Sequence, residues 1–352
     1  MNPSPEIRAW PSAVLVFTAA LTLRLAHVLA LRASPYFARP VLDAETYYWA
    51  ARALAAGEGW AEPVYWQPPA YLYFLALILR LAGPGFLAPR LVQAVLGALT
   101  AALTCAIGTR AFGRAVGLCA GLAVALYGAL IYFDGELLVP SLAICLQMAA
   151  LYSAARAPSE RGGLGWFAAG LLGGLTAVVN APALVLLPIL AVAARRRAAW
   201  VLLGAVIAVA PVTLRNWTEG GEVVLISSNS GINLYLGNNP RSDATVAMRP
   251  GRDWQALVRA PRLHGVSGAG PASRFFVRRV LAYAVSDPAG FVLLQARKLR
   301  LLLGGAEILR NQEIYPARAW SPVLRALLWK VPGLAFPFGL LLPLAVVGLG
   351  VA

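Results

Sequence analysis

The sequence predicts an all-α protein that crosses a membrane several times, and three observations predict it. Of its 352 residues, 59% are hydrophobic and only 13% charged, against roughly 25% charged in soluble domains. Several apolar runs reach the roughly 17–25 residues that a bilayer-crossing helix needs. These runs are continuous and rich in Leu and Ala rather than alternating. In hydrocarbon the backbone must be satisfied within a helix or a closed barrel, so the runs read as helices.

The first run, 11–31, follows Arg8 and lacks a small-residue cleavage pattern, so it reads as a retained helix. A polar stretch, 32–69, comes next. The apolar piece 70–82 ends at Gly83-Pro84-Gly85 and is too short to cross comfortably, which makes it an interfacial helix. Spans are expected at 91–109, 115–133 and 138–155. The run 163–194 exceeds one span, and Asn180-Ala181-Pro182 divides it, because proline ends or kinks a helix. A span at 198–214 precedes a long polar segment and a last apolar run, 333–352. The chain stops within that run, which fits a natural end or a truncated product alike. The expectation is about eight spans in three parts: a helical module over 1–214 with the loop 32–69, a segment 215–330 with interfacial helices, and a final helix in 331–352.

Charge orients these elements. With the N-terminus in the cytoplasm, the short inner loops hold Arg110 and Arg114, Arg156 and Arg161, and Arg195 to Arg197. The short outer loop at 134–137 holds Asp134 and Glu136 and no base, which is the positive-inside pattern. The loop 32–69 and the segment 215–330 then face outward from a plasma (inner) membrane. The net charge of +15 is explained by such loops and by anionic lipid head groups. No nucleic-acid recognition module is present. Cys105, Cys119 and Cys145 sit in apolar runs at no metal-like spacing and read as small buried packing residues.

The residues that could carry chemistry gather in the outward segments. In Leu42-Asp43-Ala44-Glu45-Thr46-Tyr47, Asp43 is a good N-cap for a helix starting at Ala44, and Glu45 falls in its first turn. The stretch reads either as an ordinary amphipathic surface helix or as the seat of a general base, Asp43. Asp134 and Glu136 form a second acidic site, either a plain solvated loop or a cleft wall. Carboxylates from two loops could bind a hydroxyl or amine acceptor, or a divalent metal. Arg24 and His27 lie one turn apart on the first helix, facing the bundle interior or, for Arg24, snorkelling or binding a backbone carbonyl. Asn216-Trp217-Thr218 is a glycosylation triplet of a kind common by chance. The stretch 227–240, with Asn233 and Asn238, is dense in Gly and Asn, and so suggests tight turns and exposed amides suited to sugar hydroxyls. Arg297, Lys298 and Arg300 lie on a basic amphipathic stretch that anchors to lipid or holds a lipid-linked phosphate.

Taken in order, these motifs resemble the bacterial membrane glycosyltransferases of the GT-C fold, closest to the dolichyl-phosphate-mannose protein mannosyltransferase and aminoarabinose transferase group. The resemblance rests on Asp43, Tyr47, Gly57 and Pro68-Pro69, then Asp134 and Glu136, then Leu214-Arg215-Asn216-Trp217, the stretch 228–240, and Arg297-Lys298-Leu299 followed by Glu307-Ile308. It spans roughly 10–340. It implies a polyprenyl-phosphate-linked sugar as donor and a glycan, lipid or protein as acceptor. It also implies that Asp43 is the base of an inverting transfer on the outer face. Tyr47, Gln67, Asn180, Asn233 and Asn238 are then candidate donor or sugar contacts. Glu45, Asp134 and Glu136 assist the acceptor or a divalent metal, and Arg297 and Lys298 meet the donor phosphate. The chain departs from the pattern at Gln67 and Asn180, where related enzymes often carry a basic residue. Two rival readings are a transporter or lipid flippase, which would show mid-membrane sites and internal repeats, and a non-catalytic scaffold.

Overall fold

The structure, a computed structural model, describes residues 5–60, 62–159, 163–304 and 312–351. Arg161 and the pair Glu307-Ile308 lie outside the described residues. Among these residues the regular structure is helical, with no named strand, as an all-α membrane protein requires.

The first long element is α1 (Pro5–Leu31), followed by α2 (Asp43–Ala55) and α3 (Ala70–Ala82). Then come α4 (Leu87–Phe112), α5 (Arg114–Ala125), α6 (Gly128–Asp134) and α7 (Pro140–Arg156). The series continues with α8 (Leu164–Val179), α9 (Leu186–Ala194) and α10 (Ala198–Gly220). α3 matches the short apolar piece expected at 70–82. The break expected at Asn180 is also present: α8 stops at Val179, Asn180 is extended, and a 3-10 turn over Ala181–Val185 leads into α9. The single span expected over 115–133 is instead two helices, α5 and α6, bent by 55°. By length and composition, Pro11–Leu31, Leu87–Phe112 and Ala181–Gly220 can cross a membrane, and the bent pair makes a fourth. α10 runs to Gly220 rather than ending near 214.

The chain divides into two compact units. The first comprises 1–227 with 317–327. In it α4 packs against α1, α5 and α7, while α8 packs against α7 and α10. The contacts are made largely by small side chains: Val16, Ala20, Ala98, Ala101, Cys105 and Ala125 form one core cluster. Small residues let helices approach closely where lipid supplies no hydrophobic drive between them. Cys105 and Cys145 are buried as expected, whereas Cys119 is exposed. At one end of the bundle Arg110 donates to the Ala155 carbonyl and Arg114 to Ser12 Oγ.

The second unit comprises 228–316 with 328–352. It holds α11 (Ser230–Gly237), α12 (Ser242–Ala247), α13 (Arg252–Leu263), α14 (Ala269–Ser286) and α15 (Pro288–Gly304). The chain then supplies α16 (Pro322–Leu327) to the first unit and α17 (Phe338–Val351) to the second. Within the Gly/Asn-dense stretch 227–240 expected to form tight turns, the turns flank a helix, α11. It packs on α14, and the Gly231 N–H donates to Ser273 Oγ.

Candidate active site

α2 is held by two tyrosines on its inner face. Tyr47 meets Tyr71 of α3 edge to face at 5.2 Å. Tyr48 donates to the Pro84 carbonyl at 2.7 Å and stacks on Phe86. Both are buried, whereas Asp43, one turn before Tyr47, and Glu45 are exposed. The cap is one residue earlier than expected. The Leu42 carbonyl accepts the Thr46 N–H, so Leu42 is the N-cap and Asp43 opens the helix. Leu42 has φ 57° and ψ −126°, a conformation that costs a side-chain-bearing residue free energy and persists only where its surroundings enforce it. Burial, with the neighbouring Asp43 charge second, pushes the Tyr47 hydroxyl well above its ordinary value, so that phenol stays protonated.

The acidic loop after α6 is not solvated. Asp134 and Glu136 are both buried. Arg24, expected to face the interior or to snorkel, does the former, and its Nε lies 2.6 Å from Asp134 Oδ2. Arg90 Nε donates to the Gly135 carbonyl at 2.6 Å, and its Nη1 to the carbonyls of Phe37 and Phe86. Gln93 Nε2 donates to the carbonyls of Asp134 and Glu136, and its Oε1 accepts the Tyr71 hydroxyl. One face of α4 thus fastens the loop before α2, the loop after α6 and α3 together. His27 Nδ1 sits 2.9 Å from Ser321 Oγ. Burial raises the Glu136 carboxyl to about 7, with Arg90 opposing the shift. Neither Arg90 nor Gln93 stood out in the sequence. Their signal is a polar pair three residues apart, at helical spacing, near the start of an apolar run.

The triplet at Asn216 is not a free glycosylation site. Asn216 is buried within α10 and its amide is spent on the backbone. Beside α10, Leu184 and Leu187 with Leu202, Val206, Val209, Thr213 and their neighbours line an apolar cavity of about 510 Å³ that reaches Trp217, Val223 and Leu225.

Gln67 is partly exposed just before Pro68-Pro69, and Asn180 is exposed at the break after α8. In the second unit Asn233 is exposed on α11, whereas Asn238 and Lys298 come together. Asn238 Oδ1 accepts from Lys298 Nζ and from Gln295 Nε2. Partial burial lowers the Lys298 ammonium from its ordinary value. Arg297 instead pairs with Asp243 at 2.8 Å on the exposed surface. No group of three His, Cys, Asp or Glu side chains among the described residues is arranged to hold a metal ion.

Residues 66–215 match the family model of the dolichyl-phosphate-mannose-protein mannosyltransferases. The matched stretch contains Gln67, Asp134, Glu136 and Asn180, and leaves Asp43 and the second unit outside. No curated protein matches the chain, and neither does any solved structure. The chain thus has helices apolar enough to cross a bilayer, and over the core of its first unit it is similar to the mannosyltransferase family.

Proposed function

We propose that the chain transfers a sugar from a polyprenyl-phosphate-linked donor to an acceptor on the outer face of the plasma membrane, with Asp43 as base. The observation that carries this reading is the presentation of Asp43. Its side chain is exposed at the first position of α2, behind the strained Leu42, on a helix pinned by Tyr47 and Tyr48. Strain of this kind clusters where a group must be aimed.

The chemistry then needs few parts. The Asp43 carboxylate takes the proton of the acceptor hydroxyl or amine as that atom bonds to the anomeric carbon. The bond from that carbon to the phosphate oxygen breaks on the opposite face, which inverts the centre. The polyprenyl phosphate leaves with the electron pair as a stable anion, so no strong general acid is required. Glu45 and Glu136 are the carboxylates left to orient the acceptor, because Asp134 is committed to Arg24. Gln67, Asn180 and Asn233 supply neutral polar contacts to the sugar or donor. Lys298, held by Asn238, and Arg297 supply positive charge for the phosphate. The apolar groove beside α10 suits the isoprenoid tail. From Leu202 to Trp217 it follows α10 for about 22 Å, at roughly 1.5 Å per residue.

The test is donor turnover by purified protein in lipid discs, offered a panel of polyprenyl-phosphate sugars with a membrane extract as acceptor. Release of polyprenyl phosphate is followed for wild type and Asp43→Asn. A loss of at least about 100-fold in the variant supports the base. Equal rates would reduce Asp43 to a helix-start residue, and no turnover of any donor would put a scaffold or transporter ahead.

A further inference from the structure

The C-terminal end of α10 grips two segments at once. Asn216 is fully buried. Its Oδ1 accepts the Tyr65 N–H at 3.0 Å, and its Nδ2 donates to the carbonyls of Val224 at 2.9 Å and Ile226 at 3.1 Å. One residue earlier, the Arg215 guanidinium donates to the carbonyls of Pro63 at 2.8 Å and Glu62 at 2.9 Å. It also lies 4.3 Å from the centre of the Tyr65 ring. Tyr65 in turn shares a hydroxyl hydrogen bond of 2.8 Å with Tyr73 and meets Trp60 edge to face. On the far side, Thr213 Oγ1 donates to the Leu225 carbonyl at 2.6 Å. Helix end and loop are so close that a Cβ on Gly220 would collide with Val64.

Such a set of bonds is more than a loop needs in order to lie on a surface. Every side-chain hydrogen bond of Arg215 and Asn216 named above goes to backbone of 62–65 or 222–226. The first of these segments leads directly into Gln67. The second supplies Val223 and Leu225 to the lining of the apolar groove. A pair of adjacent side chains therefore sets the register between one wall of the groove and the loop that carries Gln67.

We propose that Arg215 and Asn216 are positioning residues that hold the 62–67 loop on the end of α10 that also lines the groove, so that a lipid-phosphate donor meets an already ordered loop. This rests on the transferase reading above. Neither residue touches donor in this scheme. Their effect passes through the loop, whose ordering cost is met by the fold rather than by donor binding.

Arg215 is only partly buried, so its variants are the safer test, with Asn216→Ala as a second, harsher one. Hydrogen exchange of the full chain in lipid discs comes first. In Arg215→Ala, amides of 62–67 should exchange about tenfold faster or more while α4 and α8 keep their protection, and Arg215→Lys should restore most of it. In the turnover assay, donor KM should rise about tenfold in Arg215→Ala at nearly constant kcat, again with recovery by Lys. Unchanged exchange at 62–67 overturns the clasp. Faster exchange with unchanged donor KM overturns the positioning role. A wild type that turns over no donor sinks the transferase reading and with it that role, whereas normal turnover with unchanged exchange sinks the clasp alone.

Discussion

Arg24 Nε and Asp134 Oδ2 are 2.6 Å apart, with side chains only 1% and 5% exposed. The same guanidinium donates to the carbonyls of Ala20 and Ala125. Removing one partner strands a buried charge, which costs about 3–5 kcal/mol. Asp134→Leu alone should therefore lower thermal stability in detergent sharply, and adding Arg24→Met should recover most of the loss. Gly97→Ala should mimic the single variant, because its Cβ would overlap both groups of the pair. A double variant no better than the single one would mean that the pair is not the source of the effect.

Leu42 holds φ at 57°, so Leu42→Gly relieves backbone strain at little packing cost. The expected result is unchanged or slightly raised stability, by up to about 1 kcal/mol. Turnover should nevertheless fall several-fold, because the freed backbone no longer aims Asp43. Loss of stability together with activity would show that Leu42 serves packing instead.

Glu136 makes stability depend on pH in a direction opposite to a surface carboxylate. Its folded value, about 7, lies above its ordinary 4.5, so the folded state holds the proton more tightly. The associated stability is present in full below about 4.5 and is lost as pH rises through about 7. Glu136→Gln should thus melt higher than wild type at pH 8, with the gap closing towards pH 5. A gap that widens on acidification would contradict burial as the dominant cause.

The two cations of α15 should separate by function. The Arg297–Asp243 pair is 51% and 74% exposed, so Arg297→Met should change stability by no more than about 1 kcal/mol. Lys298→Met removes a cation seated on Asn238. If it meets donor phosphate, donor KM should rise and depend less on salt, with Arg297→Met showing the smaller change. Equal, small effects for both would move the phosphate contact elsewhere.

Helical class, the short helix at 70–82 and the break at Asn180 were legible because each has a local cause: run length, a Gly-Pro-Gly stop, a proline. What could not be read was tertiary. Asp134 stayed open between a solvated loop and a cleft wall because its partner Arg24 is 110 residues away. The Asn216 triplet was assigned to the outward segment because α10 outlasts its apolar run. The 227–240 stretch looked like turns because Gly and Asn favour them, yet packing on α14 makes Ser230–Gly237 a helix. The bend between α5 and α6 had no proline to announce it. Of the candidate site residues, the structure brings Asn238 to Lys298 through helix placement that spacing alone could not reveal, whereas Asp43 and Tyr47 are neighbours on α2 by their four-residue spacing.

The bend also bears on how the protein is made. α5 ends at Ala125, and the carbonyl there is taken up by Arg24. Apart from Ala20 on its own helix, the partners of Arg24 are synthesised 101 and 110 residues after it. The newborn first helix therefore enters lipid carrying an unmatched guanidinium, a burden of about 2.5–3.5 kcal/mol near the bilayer centre. It becomes a settled span only when α5 and α6 arrive. The first helix and the bent pair are thus a single unit of biogenesis, and truncation before residue 134 should leave the first helix loosely inserted and exposed to quality control.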